Sequence, residues 1–269
     1  MTSKIKESIN NMKKITYFLS FLLLFATSAN SKTLEQKLNV NIGVFDAAKV
    51  IMTYSLDDKN YAFSSNVETN GLFAKLYYFN ALYSTKGKIL NNKFITQDYN
   101  YISKSKSHTR TKKLVFDEKG KLIERISTKN KKEKKVKINL ANKNFDFNDL
   151  QSVFAYLTKQ IKDNSLCSIQ KDVFDGKKTY KISVKDEGFT LINEKDINYK
   201  GQAKKCSIII KRTDSEDDDL LFSTTADRPI NFWVADEQQT LMPFIVKIEI
   251  DSTPLGKVKA YTTDINVKD

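Results

Sequence analysis

Few side chains in this sequence have types and spacing that could do chemistry: one histidine, two cysteines, a run of acids and a run of lysines. His108 stands among Lys106, Arg110 and Lys112. A lone histidine builds no multi-histidine metal site, and a Ser-His-Asp triad would have to use it although no Gly-x-Ser-x-Gly elbow is present. It reads as a surface residue in a polar strand. Asp214-Ser215-Glu216-Asp217-Asp218-Asp219 gathers carboxylates that suit a hard cation, yet lacks the Gly-centred alternation of a calcium loop. A solvated acidic turn is the expectation there. The eight glycines form no Gly-x-Gly-x-x-Gly and no Gly-x-x-x-x-Gly-Lys, so no phosphate-cradling loop is visible. The expectation is therefore a protein without cofactor, metal or catalytic residues. A hydrolase of wall polymer or glycan survives only through a pair of carboxylates converging in space, which sequence does not reveal.

The cysteines say more about compartment than about catalysis. Cys167 and Cys206 lack Cys-x-x-Cys spacing, and nothing beside them obviously lowers a thiol pKa. Upstream, Lys13 and Lys14 precede the uncharged run Ile15 to Phe25, followed by small residues through Ser31. Eleven residues fall well short of the ~20 a spanning helix needs, so residues 1–31 read as a secretory signal peptide, cut before Lys32, with Met12 as an alternative start. No cysteine follows the apolar run, so no lipid anchor is expected and the mature protein reads as soluble and periplasmic. In that oxidising compartment two cysteines read most simply as one disulfide, two buried thiols being the alternative.

The lysines carry the charge. Formal net charge is +13, and residues 1–31 contribute four Lys and one Glu to it. Between Ile102 and Ile138 fourteen Lys or Arg meet four Asp or Glu, so the excess sits in one stretch. Its densest part supplies the candidate anion-binding residues Lys129, Lys131, Lys132, Lys134 and Lys135. In an envelope the matching partners are anionic lipid, a lipoprotein or an acidic envelope polymer, and not nucleic acid. The plain alternative is a solvated lysine hairpin.

The elements that must hold these residues read mainly as strands. Leu38, Val40, Ile42 and Val44 alternate with polar residues or glycine, and Tyr54 to Leu56 and Tyr61 to Val67 flank the turn Asp57-Asp58-Lys59-Asn60. Gly71 to Phe79 reads as a short helix. Leu114 to Phe116 meets Leu122-Ile123 across a Gly120 turn, and Lys135 to Leu140 reads as a strand after the lysine run. Leu150, Val153, Phe154, Leu157 and Ile161 form a helical stripe, with Asn148 as the expected cap and Gln151 reaching back to it. That helix is expected to lie on the sheet with its stripe in the core. Ile169 to Phe174 and Lys177 to Val184 flank Asp175-Gly176, which suits a tight type I′ turn. Cys206 is expected to open a strand through Ile210, and Phe232 to Val234 to pair with Phe244 to Ile250. The fold class expected is mainly β: a large curved antiparallel sheet or incomplete β-barrel with one or two short helices packed on it, one domain over residues 32–269.

These residues, in order, resemble a bacterial envelope family known as domain of unknown function 3108. The resemblance rests on the helix before Cys167, Val173-Phe174-Asp175-Gly176 with Tyr180, Cys206 at a strand, Trp233, Pro243 and Pro254-Leu255-Gly256. It departs at Asp149-Leu150-Gln151-Ser152, where the family often has Asp-Pro-Leu-Ser, and at Thr213 to Asp219, where a glycine-containing turn is usual. The family brings no established activity. It implies an exported β-rich protein, similar at fold level to concave sheets that carry lipids or lipoproteins. The leading expectation is a non-catalytic periplasmic protein holding an amphiphile such as a lipid or lipoprotein; the alternative is an interaction module of an envelope assembly.

Overall fold

The computed structural model describes residues 32–139, 145–213, 229–236, 242–253 and 256–268. The expected signal peptide and the acidic run at 214–219 lie outside these residues, as do Leu140, Pro254 and Leu255.

Fourteen strands and two helices are described. The first half runs β1 (Thr33–Ile42), β2 (Phe45–Leu56), β3 (Asn60–Thr69), α1 (Gly71–Leu76), β4 (Phe79–Leu90), β5 (Lys93–Ser105), β6 (Thr109–Phe116), β7 (Leu122–Lys129) and β8 (Lys132–Lys137). After α2 (Leu150–Asn164) come β9 (Ile169–Phe174), β10 (Thr179–Ile192), β11 (Gly201–Arg212), β12 (Ile230–Asp236), β13 (Pro243–Thr253) and β14 (Gly256–Lys268). All belong to one antiparallel sheet in the order β8-β7-β6-β5-β4-β3-β2-β1-β14-β13-β12-β11-β10-β9. Each half is a meander of hairpins, and the β1–β14 ladder, from Thr33 opposite Lys268 to Ile42 opposite Val258, joins them. The edges are β8 and β9, so the chain crosses between edges through α2.

The edges do not pair, yet the sheet rolls far enough to bring them near. Phe174 at the end of β9 packs with Tyr99, Leu114 and Leu122 of β5, β6 and beyond. Gly176 comes so close to Leu114 that a Cβ there would stand 2.8 Å from its Cδ2. Lys112 on β6 donates to Asp175 at 3.0 Å. The seam is therefore bridged by the Phe174-Asp175-Gly176 turn through side chains, where a closed barrel would have ladder hydrogen bonds.

Several local expectations shift by a few residues. The Asp175-Gly176 turn is not type I′: only Gly176 takes a positive φ (83°), and Asp175 still pairs through its amide with the Lys178 carbonyl. Gly176 and Lys177 form the loop, with the positive-φ pattern of a type II′ turn. Asp175 is kept in the ladder because its Oδ1 accepts the Lys177 and Lys178 amides while Oδ2 holds Lys112. The strand over Lys135 to Leu140 is in fact the lysine run itself, Lys132–Lys137. Cys206 sits mid-strand in β11 rather than opening it. α1 is only six residues long and none of them is buried. β4 and β5, read from no motif, form a hairpin on Asn91-Asn92, both at positive φ. The expected β12–β13 pair is present, with Trp233 opposite Lys247.

Candidate functional site

α2 lies on the inner face of the sheet. Val153, Ala155, Leu157 and Ile161 are buried, and Phe154 stacks on Phe63 of β3 at 6.3 Å. The helix ends at Ser165, whose left-handed backbone lets its amide return to the Ile161 carbonyl at 2.8 Å. Its cap is Asp149 and not Asn148: Oδ1 accepts the Ser152 amide at 2.8 Å. The reason for the shift is the other oxygen. Oδ2 accepts from Thr96 at 2.9 Å and from the Ser152 hydroxyl at 2.6 Å, with Thr85 at 3.4 Å, so the carboxyl is anchored in strands β4 and β5. Tyr61 completes the cluster, its hydroxyl 2.8 Å from Ser152 and 3.2 Å from Thr96. Asp149 has no exposed surface, and burial pushes its carboxyl above the usual range against those hydrogen bonds. Burial and then the Asp149 charge push the Tyr61 hydroxyl up to about 12. The first turn of α2 is thus pinned by buried polar bonds, whereas its later turns bury apolar residues and reach the β2–β3 turn through the Lys159–Asp58 ion pair at 3.6 Å.

Under those later turns is a cavity of about 100 Å³. Phe154, Leu157 and Ile161 roof it; Met52, Tyr54, Phe63, Ile208, Phe232 and Phe244 form much of its wall. Its one amide side chain, Gln36, is spent on the strands themselves: Nε2 donates to the Ile245 carbonyl and Thr262 Oγ1, and Oε1 accepts the Ile245 amide. The walls therefore offer methyl and ring carbon, with little to hold a polar group.

A second, cationic concavity of about 580 Å³ lies on the same face of the sheet, at the seam. Register explains its composition. Lys134 faces Ser127, Ser127 faces Lys112, Lys112 faces Tyr101, and Tyr101 faces Tyr83. Two residues along, Arg110 faces Lys129, which faces Lys132. Side chains alternate across a strand, so these cations share the inner face with Tyr83, Tyr99 and Tyr101. Lys177 and Lys178 complete the wall from the β9–β10 turn. Tyr83 and Tyr101 rings lie 4.8 Å apart, and the Lys112 ammonium sits 5.2 Å over the Tyr99 ring. Among the described lining residues the one carboxylate is Asp175. Burial would raise it, but Lys112 and the turn amides outweigh burial and hold it below the usual carboxylate range. Arg125 Nε is buried without a hydrogen-bond partner.

The structure thus divides the candidate lysines. Lys129, Lys132 and Lys134 line the groove; Lys131 is in the β7–β8 turn at φ 68°, and Lys135 points to the opposite face beside Glu133 at 3.4 Å. Arg110, Lys112 and the tyrosines were absent from the sequence expectation, because only strand register puts them beside the lysine hairpin. His108 lies in the β5–β6 turn and not in a strand, its Nδ1 2.7 Å from Ser107 Oγ and 3.3 Å from Ser105 Oγ. Cys167 and Cys206 form a disulfide, both fully buried, which ties the segment after α2 to β11. Among the described residues no group of His, Cys, Asp or Glu is placed to hold a metal ion, and no helix is long and apolar enough to cross a membrane.

Fold and site define an open, β-barrel-like sheet with a helix over its inner face, apolar at one place and cationic at another. The chain belongs to the family described as "Protein of unknown function (DUF3108)", whose model matches residues 37–263. Its structure is similar to that of a β-barrel-like protein of domain of unknown function DUF1849 from Brucella abortus, at 11% identity and a TM-score of 0.49, covering 89% of this chain and 98% of that one. No curated protein matches it.

Proposed function

We propose that this is a non-catalytic periplasmic protein of the cell envelope that holds an amphiphile with its apolar part between α2 and the sheet. The observation that carries the reading is the cavity roofed by Phe154, Leu157 and Ile161, whose polar wall side chains, Gln36, Tyr54 and Thr158, already have hydrogen-bond partners. Dry apolar cavities of ~150 Å³ take a benzene-sized molecule, so about 100 Å³ holds only a short stretch of chain. A longer chain needs the middle turns of α2 to move off the sheet, because its first turn is fixed by Asp149 and the segment after it by the Cys167–Cys206 disulfide. Export is supported by the pattern of residues 1–31 and by the disulfide.

Native mass spectrometry of protein purified from the envelope fraction of its own host tests this. Co-purified lipid is the expected result. An empty protein that also ignores anionic liposomes at low salt refutes it.

A further inference from the structure

We propose that the seam groove is the head-group site for the amphiphile, and that the head group it takes carries phosphate. The inference rests on the amphiphile reading above and names the ligand class. Six cationic side chains of β6–β8 line the groove, Arg110, Lys112, Arg125, Lys129, Lys132 and Lys134, and among its described lining residues the one carboxylate, Asp175, is committed to Lys112 at 3.0 Å. Like charges crowded on one wall repel, and a bound anion relieves that cost while the low-dielectric floor of tyrosine rings strengthens the attraction. Arg125 supplies a buried N–H still lacking an acceptor. A volume of about 580 Å³ lies within the range of small-molecule sites.

The groove and the apolar cavity lie on the same face of the sheet, a few strands apart. From Lys112 the paired positions run through Tyr101, Tyr83 and Ser65 to Met52, which lines the cavity. At ~4.8 Å per strand the path from Tyr83 to Met52 is roughly 10 Å. One molecule therefore reaches both places, with its charge among the lysines and its chain toward α2.

The test uses three probes in calorimetry with the intact protein: palmitoyl lysophosphatidic acid below its micelle concentration, monopalmitoylglycerol, which lacks only the phosphate, and glycerol 3-phosphate, which lacks only the chain. Lysophosphatidic acid is expected to bind at least tenfold more tightly than the uncharged lipid. R110Q/K132Q/K134Q, three exposed residues on the groove side, removes that advantage and leaves monopalmitoylglycerol binding unchanged. K131Q/K135Q removes two charges from outside the groove and keeps the advantage. Equal affinity for the two lipids overturns the head-group site while leaving the cavity reading intact. Equal loss in both variants overturns it as a general charge effect. Glycerol 3-phosphate binding as tightly as the lipid assigns the groove to free phosphate compounds and overturns it too. If neither lipid binds, the amphiphile reading falls with it.

Discussion

Replacing Asp149 separates its two roles, as helix cap and as buried acid. In D149A the α2 N-cap is lost, at about 1 kcal/mol, and the hydroxyls of Thr96 and Ser152 lose a buried acceptor, which costs about 1–3 kcal/mol more. The sum is about 2–4 kcal/mol. At about 2–4 °C per kcal/mol for a domain of this size, Tm falls by roughly 5–15 °C. D149N keeps the cap, because the amide oxygen still accepts the Ser152 amide, and its NH2 turns the hydroxyls into acceptors that relay to Tyr61. It is expected within about 1 kcal/mol of wild type. The folded carboxyl has its pKa raised by burial, so the folded state binds the proton more tightly than the unfolded chain. Stability from this group is fully present below the unfolded value near ~3.9 and is lost as pH rises through the folded value. Wild type should therefore gain on D149N as pH is lowered from neutral. Urea unfolding of the three proteins across pH measures both effects. D149A within 0.5 kcal/mol of wild type, by the ~0.5 kcal/mol scale of ordinary surface changes, would refute the reasoning. So would a pH profile of D149N parallel to that of wild type.

Three further outcomes are expected. G176A forces a side chain into left-handed backbone and toward Leu114, costing about 1–2 kcal/mol, and hydrogen exchange should show the loss at the β9–β10 turn; unchanged protection there contradicts the seam contact. C167S/C206S opens a loop of sequence separation 39 and should lower unfolding free energy by about 4 kcal/mol in the chain-entropy account, measured in urea beside the oxidised protein. His108, the chain's single histidine, gives one NMR titration; loss of hydration, then the Arg110 and Lys129 charges, place its midpoint below 6.5, and R110Q should raise it.

Much of the scaffold is legible in the sequence because strand alternation and turn chemistry are local signals. Asp57-Asp58-Lys59-Asn60 reads as the β2–β3 turn, and there the Asp57 carboxyl accepts the Lys59 and Asn60 amides at 2.7 Å each. The α2 stripe is equally visible, since its period is written in five apolar residues. The site is less so. Nothing within thirty residues of Asp149 shows that Thr85 and Thr96 receive its carboxyl; that follows from where α2 docks. Asp149 and Ser152 do stand at the Asp and Ser of the Asp-Pro-Leu-Ser pattern, and this was the one available signal. Likewise the lysine run is conspicuous, but which lysines face inward depends on register, and the tyrosines opposite them come from β4 and β5, fixed by an Asn91-Asn92 turn with no glycine to announce it.

The β1–β14 ladder has a consequence for how this protein is made. The sheet is zipped at its centre by the first and last strands, Lys37 and Asp264 pairing 2.8 Å apart across 227 residues of chain. Closing so long a loop costs ~5 kcal/mol of entropy before the ladder returns anything, and contacts of such separation fold slowly. Until the final strand is synthesised, β1 has β2 on one side and a bare row of amides and carbonyls on the other. Each meander forms from its own neighbours, but the inner face that both halves share exists only once β14 is in place. A chain shortened by that strand leaves two separate sheets, and the cavity, walled by Met52 and Tyr54 from one and Phe232 and Phe244 from the other, is never assembled.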